Sequence, residues 1–392
     1  MRIAVVANTS WYLYNFRLTL MIALRRAGHE VVAVGPLDDY AERLTVEGIR
    51  HRPITLTGGS INPFRELRCV WELYRIFRDE AIELVMTYTP KGNIYGAMGA
   101  AMNALPTVPN VSGLGRVFIH QTLLTLLVKK LYQFSFGRAV RVFFQNQDDL
   151  ELFVGLGLVD TGRAVRIPGS GVNLARFSPV GDSCGALRTE MLGVKADSAG
   201  RRVPFVFLLV GRLLWDKGVG EYVEAARRVR RSHPATEFRL LGFMGAQNPS
   251  AIPRCQVEEW VEEGVVSYLG STDDVIPHLC DADCVVLPSY REGVPRTLLE
   301  AAALAKPLIT TDAPGCRDAV DDGLTGFLCR TRDAEDLADK MLTMMEMERP
   351  NVEAMGLRGR DKMIREFDEQ IVIAGYLDAV SLVSKAAAEV NL

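Results

Sequence analysis

The sequence predicts an α/β protein with two doubly wound parallel sheets, and three observations support this. Its 392 residues exceed what one compact core usually holds, so two domains are expected. Short apolar, strand-like runs alternate with longer helical patterns, which is typical of parallel sheets covered by helices on both faces. The alternation occurs twice along the chain, which predicts two Rossmann-like domains.

The strands of the first domain are predicted at five short apolar runs. These runs are residues 3–7, 30–34, 84–86, 107–111 and 141–145. Helical patterns lie between them, for example FRLTLMIALRRAG at 16–28, which ends at Gly28 because glycine is a common helix terminator.

The second half of the chain repeats this plan with six predicted strands. They are residues 204–211, 237–242, 265–270, 283–288, 306–311 and 325–329. The stretch PGSGVNLARFSPVGDS lacks periodicity and is rich in Gly, Pro and Ser, so the domain join is expected near residues 168 to 180. The sequence therefore predicts domains at 1–172 and 173–368, with an amphipathic helix in 369–392 that crosses back onto the first domain.

Composition and charge argue against several classes of function. The net charge of −3 lacks the basic excess of a nucleic-acid-binding protein. The seven cysteines form no CxxC pair and the five histidines are scattered, so no metal site is predicted. A reduced, cytosolic environment fits this cysteine usage.

Membrane insertion is not predicted. The N-terminal run MRIAVVAN lacks the layout of a signal peptide, and no stretch reaches the roughly eighteen apolar residues of a membrane span. The segment 118–134, FIHQTLLTLLVKKLYQF, is predicted as an amphipathic helix. It either packs on the core or, through Arg116, Lys129 and Lys130 beside its apolar residues, contacts a membrane surface.

Two cations follow the first strand of the second domain. Ligands of open parallel sheets bind outside the carboxyl ends of the strands. Arg212 follows the strand directly, and Lys217 stands where the next helix begins. Two cations beside the free N–H groups of a helix N-terminus form an anion site, typically for phosphate, although such loop cations are more often merely solvated. Further strands end at glycines that allow close approach of a ligand, and we predict nucleotide contacts at Gly242, Gly270 and Thr272.

Two glutamates lie on either side of the next predicted helix start, in SYREGVPRTLLEAAALA. Glu292 lies in the loop and Glu300 within the first two turns, with Pro295 as the expected first helical residue. Alone, they could be a solvated loop charge and a residue that favours the helix dipole. A carboxylate also suits a vicinal diol, and the N–H groups of Gly293 and Val294 suit a phosphate. With the two cations, the set describes a nucleotide-sugar site.

These residues resemble the signature of the retaining GT-B glycosyltransferases of family 4, also called group 1. The resemblance lies in VGRLLWDKG, followed about eighty residues later by two glutamates separated by seven residues. REGVPRTLLEAAALAKPLITTDAPGCRD and DDGLTGFLC particularly resemble bacterial enzymes that build lipid-linked oligosaccharides, O-antigens and capsules. The similarity extends over nearly the whole chain. It implies two Rossmann-like domains facing each other across a cleft, the first for the acceptor and the second for the nucleotide sugar.

The resemblance also implies a role for each site residue. Glu292 is expected to approach the donor sugar and Glu300 to bind the ribose hydroxyls, while Arg212 and Lys217 bind the diphosphate. TPKGNIYG at 89–96 resembles the TPK segment of the lipid-linked group, which implies an acceptor or pyrophosphate contact at Lys91.

The first domain departs from the family pattern in two places. ANTSWYLYNFR replaces the paired glycines after the first strand, and there Asn8, Thr9 and Ser10 are expected to supply backbone N–H groups. NVSGLGRVF carries no histidine where relatives have one near the donor sugar, while Gly113 is predicted on the acceptor side. His120 lies beyond this region and is interpreted as a helix residue.

The predicted activity is transfer of a hexose or N-acetylhexosamine from a UDP-sugar to a glycan hydroxyl, without a metal or other cofactor. The expected acceptor is an undecaprenyl-diphosphate-linked glycan, reached at the cytoplasmic membrane surface; no nucleic acid is involved. A UDP-sugar epimerase remains an alternative, although no histidines are placed for its acid/base chemistry. A non-catalytic nucleotide-sugar sensor would retain Glu300 and the cations but need not retain Glu292. A dinucleotide-dependent enzyme is disfavoured because no GxGxxG follows the first strand.

Overall fold

A computed structural model describes residues 1–56, 62–113, 123–179, 195–196, 202–245 and 248–390. The chain divides into two compact units. The first unit contains residues 1–170 and 370–392, and the second contains residues 171–369.

The first unit is built on a seven-stranded parallel sheet in the order β3-β2-β1-β4-β5-β6-β7. Its strands are β1 (Arg2–Val6), β2 (Glu30–Gly35), β3 (Arg50–Pro53), β4 (Leu84–Tyr88), β5 (Thr107–Val111), β6 (Val142–Phe144) and β7 (Ala164–Arg166). The connecting helices are α1 (Ser10–Arg26), α2 (Asp39–Val46), α3 (Pro63–Asp79), α4 (Pro90–Met102), α5 (Leu123–Phe136) and α6 (Gln147–Gly155). In β1, Ile3 and Val5 face one core cluster while Ala4 and Val6 face another, so the strand is buried on both faces.

The second unit repeats the architecture with a six-stranded parallel sheet in the order β12-β11-β10-β13-β14-β15. A two-stranded antiparallel pair, β8 (Lys195–Ala196) and β9 (Arg202–Val203), precedes it. The sheet strands are β10 (Val206–Val210), β11 (Glu237–Leu241), β12 (Ser267–Tyr268), β13 (Cys284–Leu287), β14 (Leu308–Thr311) and β15 (Gly326–Cys329). Both sheets thus have the doubly wound order, in which the connections reverse direction beside the first strand.

Helices cover both faces of the second sheet. They are α7 (Val219–Ser232), α8 (Arg254–Glu262), α9 (Ile276–Asp281), α10 (Arg296–Ala303), α11 (Ala334–Glu346) and α12 (Arg349–Glu366). Alternate residues of β10 separate the two cores: Phe207 and Leu209 pack with α7 and α11, and Leu208 with α10 and α12.

The last helix, α13 (Glu369–Val390), returns to the first unit. Val372, Ile373, Tyr376 and Val380 are buried in the same cluster as Ile3 of β1. The phenol of Tyr376 accepts a hydrogen bond from Asn110 Nδ2 at 3.0 Å, so the C-terminal helix is tied to the end of β5.

The predicted two-sheet α/β fold is confirmed, and the differences concern short edge elements. The edge strands β3 and β7 were not predicted because neither is a buried apolar run. Of the predicted strand at 265–270 only Ser267–Tyr268 pairs, and α1 begins at Ser10, with Thr9 as its N-cap, rather than at residue 16. The predicted helix at 118–134 lies partly outside the described residues; within α5, Tyr132 and Phe136 pack into a core cluster.

Candidate active site

The predicted charged residues of the second unit follow two neighbouring strands at the centre of its sheet. Arg212 follows β10 and Glu292 follows β13, and these two strands are hydrogen-bonded neighbours. The strand order reverses between them, because β11 lies on the other side of β10. Loops diverge at such a switch point and leave a crevice at the carboxyl ends of the strands, where open α/β sheets bind ligands.

At this site, Glu292 makes two polar contacts through one oxygen of its carboxylate. Its Oε1 forms an ion pair with Lys217 Nζ and accepts a hydrogen bond from Ser289 Oγ at 2.6 Å. The side chains of Lys217 and Glu292 are 19% and 15% exposed, so both remain within reach of solvent. Partial burial strengthens the attraction between two charges relative to water, which fixes the carboxylate at the mouth of the crevice.

The loops after β10 and β13 are hydrogen-bonded to each other. Ser289 Oγ and the Tyr290 N–H lie 3.1 and 3.0 Å from the Asp216 carbonyl oxygen. Tyr290 also donates its phenolic proton to Glu221 Oε1 at 2.6 Å, which reaches the first turn of α7. These contacts hold Lys217 and Glu292 next to each other although they are 75 residues apart in sequence.

Two glycines allow these loops to approach closely. Gly218 has a φ of +71°, and a Cβ there would lie 2.1 Å from the Pro288 carbonyl oxygen. Gly315, after β14, has a φ of +79°, and its Cβ would lie 2.1 Å from the Gly293 carbonyl oxygen. Any larger residue at either position would push the Glu292 loop out of place.

Arg212 and two helix N-termini lie at the same edge of the second sheet. Within the described residues, the Arg212 side chain is exposed and forms no hydrogen bond or ion pair. The helices α7 and α10 both begin at this edge of the sheet, and neither has a side-chain N-cap hydrogen bond. First-turn N–H groups and an adjacent guanidinium together favour a phosphate.

Glu300 lies in the second turn of α10 and is buried, with 8% of the residue exposed. Burial raises the pKa of its carboxyl group, while the positive charges of Arg296 and Arg176 oppose that shift. Arg296 Nε lies 2.7 Å from Glu300 Oε1. The carboxylate is therefore an oriented acceptor in a dry environment, which suits recognition of hydroxyl groups.

The other predicted nucleotide contacts occupy the same edge of the sheet. Gly242, with a φ of +152°, donates its N–H to the Gly270 carbonyl oxygen at 2.7 Å, and a Cβ on it would lie 1.8 Å from the Gly211 carbonyl oxygen. Thr272 is exposed, and its hydroxyl bonds to the backbone of Asp274. Gly293, Val294 and Pro295 are buried, and Pro295 is the N-cap of α10 rather than its first helical residue.

The predicted acceptor residues lie at the carboxyl edge of the first sheet. Asn8 is half-buried after β1, and Gly113, with a φ of +118°, follows β5. Ser10 is fully buried: its N–H donates to Asp38 Oδ2 at 2.9 Å and its hydroxyl donates to the Pro36 carbonyl oxygen. Both polar groups of Ser10 therefore hold the turn after β2 in this structure.

Lys91 lies in the first turn of α4 and forms an ion pair with Glu66 of α3 at 2.8 Å. The preceding Thr89 has a φ of +66°, which is strained for a β-branched residue. Its buried hydroxyl has no hydrogen-bond partner among the described residues. Strained backbone and an unsatisfied polar group next to a lysine are features that cluster at functional sites.

The sequence prediction missed several residues that hold the site together. Ser289, Tyr290 and Gly315 position the Glu292 loop, and Arg176 contributes a positive charge near Glu300. Ser289 and Tyr290 directly precede the predicted loop, so their closeness to Glu292 in the sequence could have identified them. Arg176 and Gly315 carry no such signal, because their contacts depend on the tertiary fold.

Neither a metal-binding cluster nor a membrane-spanning helix occurs among the described residues. No group of three or more His, Cys, Asp or Glu side chains in the described ranges is arranged to hold a metal ion. No helix among the same residues is long and apolar enough to cross a membrane.

Two family models match the chain, one in each unit. Residues 204–347 match the glycosyl transferases group 1 model, and residues 17–169 match the glycosyl transferase 4-like domain. The chain belongs to the group 1 glycosyltransferases. This glycosyltransferase is also similar over 98% of its length to the N,N'-diacetylbacillosaminyl-diphospho-undecaprenol alpha-1,3-N-acetylgalactosaminyltransferase of Campylobacter jejuni, at 29% identity and with the whole of that relative covered.

Another relative and two solved structures extend the comparison. The UDP-Gal:alpha-D-GlcNAc-diphosphoundecaprenol alpha-1,3-galactosyltransferase of Escherichia coli is 26% identical over 85% of this chain and 83% of its own. A glycosyltransferase from Rickettsia africae superposes with a TM-score of 0.77 at 19% identity, covering 98% of both chains. Anabaena HepE in complex with UDP and glucose also gives a TM-score of 0.77, at 17% identity over 97% of this chain and 99% of HepE. The fold is therefore GT-B, and the prediction of a glycosyltransferase is confirmed.

Proposed function

We propose that this glycosyltransferase moves a hexose or N-acetylhexosamine from a UDP-sugar to a hydroxyl of an undecaprenyl-diphosphate-linked glycan, with retention of the anomeric configuration. The observation that supports it most is that Arg212, Lys217 and Glu292 follow the neighbouring strands β10 and β13 at the switch point of the second sheet, where Lys217 and Glu292 form an ion pair. The names of both relatives include a diphospho-undecaprenol acceptor and an alpha linkage. Because the glycosyl bond of UDP-galactose is itself alpha, an alpha product means retention.

The second unit supplies the donor site. Arg212, whose side chain has no partner in the described part of the chain, and the N-termini of α7 and α10 bind the diphosphate. The diphosphate competes with Glu292 for Lys217, so donor binding redirects Lys217 towards phosphate and turns the Glu292 carboxylate towards the sugar hydroxyls. Glu300 accepts hydrogen bonds from the ribose.

The chemical step breaks the bond between the sugar C1 and the β-phosphate oxygen and forms a bond between C1 and the acceptor oxygen. Negative charge develops on the departing UDP, and Arg212, Lys217 and the helix N–H groups stabilise it without needing to reorganise. The acceptor proton passes to a phosphate oxygen of the donor on the same face of the sugar. These cations make a divalent metal unnecessary, so we propose metal-independent transfer.

The first unit supplies the acceptor site, with Lys91 as the contact for the acceptor diphosphate. Lys91 lies in the first turn of α4, where the helix dipole favours anions, and its ammonium group pairs with Glu66 of α3. Asn8 and Gly113 border the same sheet edge. A lipid-linked acceptor requires the protein to work at a membrane surface, and we propose peripheral association.

The test combines donor selection with product analysis. Thermal-shift measurements with UDP-, GDP- and ADP-sugars should show stabilisation by the UDP series, because a ligand stabilises the state to which it binds. Transfer of the selected sugar to an undecaprenyl-diphosphate-linked acceptor should persist in EDTA, and NMR of the product should show an alpha linkage. Stabilisation by none of the three series, or a beta-linked product, would refute the proposal.

A further inference from the structure

Helix α3 carries an exposed apolar stripe opposite its buried face. The buried residues are Cys69, Leu73, Ile76 and Phe77. At positions i, i+3 and i+7 on the other side lie Phe64, Leu67 and Trp71, which are 83%, 68% and 53% exposed. Residues three and seven apart share one side of a helix, so these large side chains form a single ridge that the core does not use.

The surface around this ridge is basic. Arg65, Arg68, Arg75 and Arg78 are all exposed, and neither Arg65 nor Arg75 forms an ion pair with any described residue. Two of the three acids of the helix are held close to the protein: the side chains of Glu66 and Glu72 are only 16% and 23% exposed and pair with Lys91 and Arg68. The third, Asp79 at the C-terminal end of α3, is 40% exposed and pairs with Arg78. The exposed charge beside the ridge is therefore mainly positive.

We propose that this face of α3, defined by Phe64, Leu67, Trp71 and the flanking arginines, docks the protein on a bilayer that contains anionic lipids. Aromatic and leucine side chains enter the headgroup–acyl boundary while arginines bind lipid phosphates, the combination typical of helices that lie in a membrane interface. The exposed cations complement an anionic bilayer directly.

The position of the helix connects this surface to acceptor binding. Glu66 lies between Phe64 and Leu67 and pairs with Lys91, which begins α4 directly after β4. Glu66 points to the protein side of α3, away from the ridge, so a bilayer on the α3 face would lie one helix diameter, roughly 10 Å, from Lys91. The link to acceptor binding rests on the proposed function, because it takes the acceptor to be lipid-linked, whereas the docking itself rests on the ridge and its charges.

The test is co-sedimentation of the full chain with vesicles of phosphatidylethanolamine and phosphatidylglycerol at 7:3, compared with phosphatidylcholine alone. We expect the wild type to bind the anionic vesicles preferentially. The triple variant Arg65→Gln, Arg68→Gln, Arg75→Gln should bind on the order of 100-fold less tightly, at about fivefold for each arginine. The triple variant Phe64→Ser, Leu67→Ser, Trp71→Ser should lose at least about tenfold.

A matched control lies on the second unit. Leu357 and Ile364 of α12 are also exposed, at 56% and 47%, and lie seven residues apart. Leu357→Ser with Ile364→Ser should leave vesicle binding unchanged. UDP-dependent thermal stabilisation should be unchanged in every variant, so a failure of the docking proposal is distinguishable from a failure of the donor site.

Three outcomes would overturn the inference. The first is a wild type that binds neither vesicle, and the second is an α3 variant that binds as tightly as the wild type. The third is a concentration-dependent dimer in gel filtration that the Phe64, Leu67 and Trp71 substitutions dissociate, which would assign the face to a second copy of the chain.

Discussion

The carboxyl edges of the two sheets use polar residues in different ways. At the edge of the second sheet, charged side chains remain accessible in loops directly after the strands, as with Arg212 and Glu292. At the edge of the first sheet, amide groups are buried in a network: Asn93 donates to the Asn110 carbonyl oxygen at 2.9 Å, and Gln145 donates to Asn110 Oδ1 at 3.3 Å. One edge therefore leaves its charged side chains accessible to solvent, while the other is largely organised by its own internal contacts.

Arg17, in the first unit, is a buried cation and contrasts with the exposed Arg212 of the second unit. It is 1% exposed, its guanidinium lies 4.3 Å from the centre of the Tyr88 ring, and its Nη2 donates to the Tyr12 hydroxyl. No described carboxylate pairs with it. Cation–π contacts stabilise this buried charge, whereas Arg212 at the other edge has neither a ring nor a carboxylate partner among the described residues.

The largest expected effect follows removal of the accessible charge at the second edge. Arg212→Ala should lower kcat by roughly 100- to 1,000-fold, the usual loss when one stabilising donor is removed from a transition state. The melting temperature should hardly change, because the side chain makes no described contact. Steady-state transfer assays check this, with Arg231→Ala, an exposed residue in the last turn of α7, as the control. Equal turnover in both variants would remove Arg212 from the site.

Substitution of a glycine at the second edge should have the next largest effect, which is on the free energy of unfolding. Gly218→Ala should lower the free energy of unfolding by about 3 kcal/mol, because it adds a clash with Pro288 to the strain of a left-handed backbone. Gly264 has nearly the same φ, +73° against +71°, but no atom within 4 Å of its Cβ position. Gly264→Ala should therefore lose only about 1 kcal/mol. Urea unfolding of the pair measures the difference, and similar losses would show that the close approach is not required.

Glu300 provides a pH-dependent test of the same edge. Burial raises the pKa of its carboxyl group, so the folded protein binds this proton more tightly than the unfolded chain. The free energy of unfolding should therefore fall as pH rises from the ordinary glutamate pKa through the raised one, and Glu300→Gln should remove that contribution. UDP affinity at pH 7 should drop by about tenfold in the variant, as for loss of a charge-assisted hydrogen bond. Calorimetric titration checks the affinity, and an unchanged value would refute the ribose contact.

An effect no larger than that at Glu300 is expected at the first edge. Lys91→Ala should raise KM for the lipid-linked acceptor by about tenfold, as for loss of one hydrogen bond between charged groups. UDP affinity should stay at the wild-type value. A change in UDP affinity with an unaltered acceptor KM would reverse the roles assigned to the two edges. Glu66→Gln is a useful companion, since it removes the ion-pair partner of Lys91 and keeps the lysine.

The placement of polar residues in the fold was easier to predict from sequence at the second edge than at the first, for a physical reason. Arg212, Lys217, Glu292 and Glu300 each lie within a short loop or helix start directly after a buried strand, so local pattern was enough to locate them. The first edge depends on distant pairings, such as Asn110 with Tyr376, which are separated by 266 residues. Ser10 illustrates the difference: its polar groups bind Pro36 and Asp38, and no local pattern reveals those partners.

The most direct test of the account is Glu292→Gln, assayed for both sugar transfer and UDP binding. The substitution keeps the shape of the side chain and its hydrogen bond from Ser289, but removes the charge that pairs with Lys217. We predict that transfer falls by about 100-fold, while UDP affinity is retained or improves because Lys217 becomes available to the diphosphate. Transfer near the wild-type rate would contradict the assignment of Glu292 to the donor sugar and with it the proposed active site.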